Sequence, residues 1–210
     1  MAILLLFITV FVALFAIMNP IGAVPILITL TDGYSLKERK EVIRRSVYMA
    51  SGMVFGFMFL GVYIFDILGI SIYDFEIAGG ILLFKVGFDM LQGKTSTTKI
   101  TNAEQQDSAD REGIAIAPIG TPLLAGPGTI TTAIIYFNRA GIDIFSRLMV
   151  VVAVILVLVL AFIILRYSLP IFQKIGKTGS IVISRIMGLL LTAIAVDLIT
   201  TGIIHIFNVL

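Results

Sequence analysis

With 210 residues, 59% of them hydrophobic and 13% charged, and a mean hydropathy of +1.09, the chain is too apolar for a soluble domain and reads as an integral membrane protein. It has no cysteine and no tryptophan, which excludes a disulfide framework, Cys-based metal sites and thiol redox motifs. The formal net charge is +2, with basic residues scattered through the connections, so nucleic-acid binding has no support.

The apolar N-terminus carries no Lys or Arg before its hydrophobic run and no Ala-x-Ala site after it, so an uncleaved first span is expected in place of a signal peptide. At roughly 20 residues per crossing, the chain accommodates six spans. The first runs from about Ala2 to Leu30 and is interrupted by Asn19-Pro20-Ile21-Gly22-Ala23-Val24-Pro25. Two prolines, a glycine and an asparagine remove backbone donors and let a helix unwind. Such irregular backbone survives in a bilayer only where protein buries it or a polar cavity bathes it. Span two, about Ser46 to Leu68, follows a basic connection and carries Gly52 and Gly56 in a G-x-x-x-G arrangement with Gly61 beyond, a pattern expected to pack against another helix. Span three is expected from about Phe75 to Gly93.

The stretch 94–112 is rich in Thr, Ser, Gln, Asp and Lys and is expected to be a polar cytoplasmic connector between two halves, residues 1–93 and 113–210. Span four, about Gly113 to Phe137, is interrupted by Thr121-Pro122-Leu123-Leu124-Ala125-Gly126-Pro127-Gly128. Span five, about Phe145 to Leu165, is almost pure Val, Leu and Ile and is expected to face lipid. Span six closes the chain from about Ile181 to Phe207.

The two interrupted spans register without gaps, Pro20 on Pro122, Ala23 on Ala125, Pro25 on Pro127 and Thr29 on Thr131. Gly80 precedes Asp89 by the interval at which Gly188 precedes Asp197. Together these predict an all-α membrane protein of six transmembrane helices, built as two inverted three-helix repeats with spans one and four discontinuous. Lys and Arg concentrate after spans one, three and five, with Arg139 and Arg147 as exceptions; the positive-inside rule then places both termini outside.

Inverted repeats with broken helices are the architecture of secondary transporters. Half-helix ends offer N–H groups to a carboxylate and carbonyls to an ammonium, so two such breaks suit a small zwitterion. The expected substrate-binding residues are Asn19, Pro20, Gly22, Ala23 and Pro25 in the first break, and Thr121, Pro122, Gly126, Pro127, Gly128 and Thr129 in the second. Prolines and glycines also produce plain kinks in membrane helices. Charged residues inside spans are the second signal. Lys85 and Asp89 lie four apart, either as an internal ion pair or as a coupling pair, and Asp197 is the preferred group for coupling to H+ or Na+. Glu76, Asp66 and Asp74 fall near outer ends and are expected to be solvated. The lone His205 is expected at the interface, with no metal site around it and no cofactor.

The strings Met18-Asn19-Pro20-Ile21-Gly22-Ala23-Val24-Pro25, Ile77-Ala78-Gly79-Gly80-Ile81-Leu82-Leu83-Phe84 and Pro122-Leu123-Leu124-Ala125-Gly126-Pro127-Gly128-Thr129-Ile130 closely resemble the MarC/SnatA family of prokaryotic membrane proteins. The resemblance covers essentially the whole chain. It implies six spans in the plasma (inner) membrane of a prokaryote and, for one branch of the family, ion-gradient-dependent transport of small neutral amino acids such as glycine and alanine. The family motifs fall on Asn19, Pro20, Gly22 and Pro25 and on Pro122, Gly126, Pro127 and Gly128. Export through the same site is one alternative, and a membrane scaffold or an intramembrane enzyme are alternatives of another class. An enzyme is not expected, because no Ser-His pair, catalytic carboxylate pair or metal-ligand cluster is visible.

Overall fold

The computed structural model describes residues 2–93, 124–138 and 143–207. The expected connector 94–112, and Thr121 and Pro122 of the second motif, lie outside the described residues. Seven α-helices are described: α1 (Ala2–Met18), α2 (Pro20–Leu30), α3 (Leu36–Leu68), α4 (Ile72–Leu91), α5 (Pro127–Asn138), α6 (Ile144–Arg166) and α7 (Ser168–Phe207). Among the described residues, three stretches are long and apolar enough to cross a membrane by length and composition: Ile3–Leu30, Ile144–Arg166 and Ser168–Phe207.

Local chemistry sets the helix boundaries. Ahead of α3, Ser35 and Glu38 exchange capping hydrogen bonds, Ser35 N–H to Glu38 Oε2 at 2.8 Å and Glu38 N–H to Ser35 Oγ at 3.3 Å. Ser71 and Asp74 do the same for α4, and Asp143 caps α6 by accepting from Ser146 N–H at 2.9 Å. Each cap satisfies donors that an α-helix leaves unpaired at its start. The long α7 bends at Gly176, whose φ of 67° lies where a side chain would be strained.

Packing follows the small residues. The helices α4 and α7 run antiparallel in close contact along their length. A Cβ at Gly80 would lie 2.9 Å from the Ala195 carbonyl oxygen and 3.2 Å from the Ile199 nitrogen. At Gly188 it would lie 2.7 Å from the Gly87 carbonyl oxygen and 3.1 Å from the Leu91 nitrogen. Backbone meets backbone here, which only glycine permits. Between apolar helices in lipid, close contact of this kind carries the association.

The helix α5 is inserted between α3 and α4 and also touches α1 and α6, and its residues Gly128, Thr129 and Thr131–Tyr136 are buried. One core cluster joins α1, α2, α3 and α6 around Leu14, Met18, Leu27, Val54 and Val157. A second joins α4, α5 and α7 around Leu83, Ile135 and Leu191, with Ile17 of α1 reaching into it.

Two packing expectations are corrected. Nothing lies within 4 Å of a Cβ built at Gly52 or Gly56, whereas one at Gly61 would meet Ile134 at 3.0 Å. Among the described residues the G-x-x-x-G pattern is therefore not a contact face, because α5 crosses α3 further along. The helix α6 is also not uniformly exposed. Val150, Ala153, Val154, Val157, Leu158, Ala161 and Leu165 recur at helical spacing and are buried, so one face belongs to the core and the other is open.

Candidate functional site

The first break is made by Asn19. It has φ 43° and ψ 59°, a left-handed conformation, and is the residue other than glycine with positive φ among those described. Asparagine tolerates this region better than most residues because its short side chain bonds locally. Here Asn19 Oδ1 accepts from Gly22 N–H at 3.1 Å, while Asn19 Nδ2 donates to Ser184 Oγ of α7 at 2.9 Å. Glycine at position 22 makes room for this arrangement, since a Cβ there would overlap the Asn19 amide and lie 2.5 Å from Ser184 Oγ.

The backbone ladder continues past the break. Asn19 N–H donates to the Phe15 carbonyl at 2.9 Å and Ala23 N–H to the Asn19 carbonyl at 3.1 Å. The donors of Gly22 and Ala23, expected to face a substrate carboxylate, are thus engaged by Asn19 itself. The acceptors fare differently. Pro20 and Pro25 have no N–H, so the carbonyls of Ala16 and Ile21 lack their helical donors. Pro20 and Ala23 are buried and Pro25 is half-buried inside α2.

In the described part of the second motif Ala125 and Gly126 are non-helical and Pro127 opens α5. Gly126 is buried and Pro127 is exposed. The Gly126 carbonyl accepts from Ile130 N–H at 3.1 Å. Gly128 brings the two motifs together: a Cβ there would lie 3.4 Å from Ile17 Cγ2, two residues before Asn19, and 2.9 Å from Leu83 Cδ2 of α4. Thr129 is 1% exposed and Thr132 fully buried, and the Thr132 hydroxyl has no hydrogen-bond partner among the described residues. Sequence reasoning missed Thr132 and Ser184; hydroxyls at helical spacing in an otherwise apolar span were the available signal.

Pro20 and Pro127 both occupy the first position of a helix, whereas Pro25 lies inside one. The ungapped pairing of Pro25 with Pro127 therefore joins residues in different settings. The helix starts are better matched by Pro20 with Pro127.

The ionisable residues also rearrange. Glu76, expected to be solvated, is fully buried, because it faces the glycine-lined side of α7, where a Cβ at Gly202 would lie 3.4 Å from Glu76 Cβ. A fully buried carboxyl group is costly, which makes Glu76 a candidate functional residue. Near it Tyr73 stacks on His205 with ring centroids 4.6 Å apart, and His205 is exposed. Of the coupling candidates named from the sequence, Lys85 and Asp197 are exposed on the outer side of the α4/α7 pair and Asp89 is half-buried. Outside the spans, Arg45 and Arg44 bond to Glu41 at 2.9 and 2.8 Å and hold its carboxyl below the usual range.

The sequence profile of the MarC family integral membrane proteins matches residues 4–207. A UPF0056 membrane protein of Methanocaldococcus jannaschii is 40% identical over 94% of this chain and 95% of its own length. The UPF0056 membrane protein YvbG of Bacillus subtilis is 37% identical over 96% of this chain and 95% of its own, and a UPF0056 membrane protein of Aquifex aeolicus is 35% identical over 94% and 92%. No solved structure matches the chain. The family thus spans archaea and bacteria, and this chain belongs to it as a MarC family integral membrane protein.

Proposed function

We propose that this protein is a secondary transporter of small neutral amino acids, coupled to a proton or sodium gradient. The observation that carries the reading is the packing of the two motifs on each other, with Gly128 at the start of α5 against Ile17, two residues before Asn19. The start of α5 presents the N–H groups of Gly128 and Thr129 and a positive dipole end, which suit a carboxylate, and Thr132 adds a hydroxyl one turn further in. In the first motif, the carbonyls of Ala16 and Ile21, which face proline nitrogens, suit an ammonium. A small zwitterion fits this division without any fixed charge.

The architecture behind this reading is a pair of inverted three-helix repeats, residues 1–93 and 113–210, joined by 94–112, with six crossings and both termini outside. Its support is a nearly constant shift between equivalent features. Pro20 and Pro127 open α2 and α5 at a shift of 107, and the caps Ser35 and Asp143 are 108 apart. The seam contacts exchange under the same shift, since Gly80 with Ala195 and Ile199 becomes Gly188 with Gly87 and Leu91 (80 to 188, 87 to 195, 91 to 199). A two-fold relation between the halves produces such an exchange.

Glu76 replaces Asp197 as the group assigned to coupling, on the ground that a buried carboxyl in the wall shared with α7 can bind and release a cation, whereas Asp197 lies on the outside. Uptake of labelled glycine and alanine into proteoliposomes tests the reading. Saturable flux that Gly22→Val abolishes supports it, and absence of flux under both proton and sodium gradients refutes it. Export would use the same site with the gradient reversed.

A further inference from the structure

Lys85 and Asp197 are exposed well inside α4 and α7, at positions where lipid would otherwise surround them. Around them the surface is apolar, with Ile81 58%, Phe88 49%, Leu189 61% and Val196 49% exposed. Only 22% of the apolar stretch of α7 is buried inside the chain, against 44% for the first span. Lipid-facing charges within a span are costly, and natural ones face protein or water. This face is therefore covered.

The seam contacts fix the depth of the two charges. Gly80 lies level with Ala195 and Ile199, and Gly87 with Gly188 and Thr192, so Asp197 is level with Gly80, and Lys85 lies roughly 7 Å further along at 1.5 Å per residue. Both are near mid-seam. At about 100° per residue, Lys85, five residues from Gly80, and Asp197, two residues from Ala195, stand on opposite outer corners of the helix pair. They point away from each other, so one chain cannot pair them.

We propose that the outer face of α4 and α7 is the interface of a homodimer. A two-fold axis normal to the membrane sets α4 of one protomer against α7 of the other, which brings Lys85 to Asp197 of the partner subunit, twice. The opposite signs at opposite corners make the face complementary to its own rotated copy, as an isologous contact requires. The proposal stands independently of the transported substrate.

Counting protomers by single-molecule photobleaching in lipid vesicles tests it. Wild-type protein is expected as dimers, while Lys85→Asp and Asp197→Lys each set like charges against each other in their own homodimers and weaken association about tenfold. A mixture of the two variants restores both pairs and recovers dimers, an outcome that no intrachain contact produces. Because the chain has no cysteine, Leu189→Cys gives a second readout on an otherwise native protein. A bifunctional thiol reagent links it into dimers but does not link Val159→Cys on the open face of α6. A monomeric wild type, no recovery in the mixture of folded variants, or equal cross-linking at both cysteines overturns the proposal.

Discussion

The hydrogen bond from Asn19 to Ser184 ties the junction of α1 and α2 to a distant helix through side chains, and its removal has a calculable cost. Asn19→Ala loses the N-cap to Gly22, worth about 1 kcal/mol, and places alanine at φ 43°, which costs about 1 kcal/mol more. It also strips Ser184 of its donor, for about another 1 kcal/mol, so the variant should be less stable by about 3 kcal/mol. Asn19→Gly keeps the left-handed backbone without strain and should recover about 1 kcal/mol of this. Ser184→Ala removes only the tertiary bond, for about 1 kcal/mol. Equilibrium unfolding of the two alanine variants and their double variant in mixed micelles gives the coupling between the residues, expected near 1 kcal/mol. Additivity to within about 0.3 kcal/mol, or Asn19→Gly no more stable than Asn19→Ala, would refute this account of the break.

Other outcomes follow from the same geometry. Gly188→Leu drives a side chain into the Gly87 carbonyl and should lower stability by about 3 kcal/mol, while Gly52→Leu enters open space and should stay within about 0.5 kcal/mol of wild type; thermal unfolding of both compares them directly. Gly128→Val should cost about 2 kcal/mol through Leu83 and Ile17 and weaken ligand-induced thermal stabilisation. Glu76→Gln is expected to leave facilitated exchange intact but abolish accumulation against a gradient, measured by counterflow and by driven uptake in the same vesicles. The Asp143 carboxyl, held below its ordinary value of 3.8 by hydrogen bonds from Ser146, supports the start of α6 at neutral pH. That support is lost as pH falls through the lowered value, and amide exchange in the first turn of α6 should rise there in wild type but not in Asp143→Asn.

The sequence made some of this legible and hid the rest for identifiable reasons. Asn19 to Pro25 stands out because proline and glycine chemistry acts locally, and the left-handed residue between α1 and α2 is Asn19. Its consequence was misjudged, because the Asn19 side chain and carbonyl take up Gly22 and Ala23 N–H, a choice set by one residue's left-handed conformation. The partner Ser184 is 165 positions away, and nothing local announces it. Glycine spacing misled in α3 and informed in α4 and α7, since a small residue permits close approach without requiring it. Glu76 sits within two turns of a helix start, where solvent is the usual neighbour, and only the opposing Gly202 reveals that α7 covers it. Pro25 and Pro127 matched in letters while Pro20 and Pro127 match in position, because a proline can open a helix or sit within one.

The most direct measurement of the central claim is flux of labelled glycine and alanine into proteoliposomes holding the purified protein, under imposed proton and sodium gradients in turn. The account predicts saturable uptake driven by one of the gradients, lost in Gly22→Val, whose side chain displaces the Asn19 amide and Ser184 hydroxyl. Uptake no greater than in protein-free vesicles for either amino acid under either gradient would contradict it.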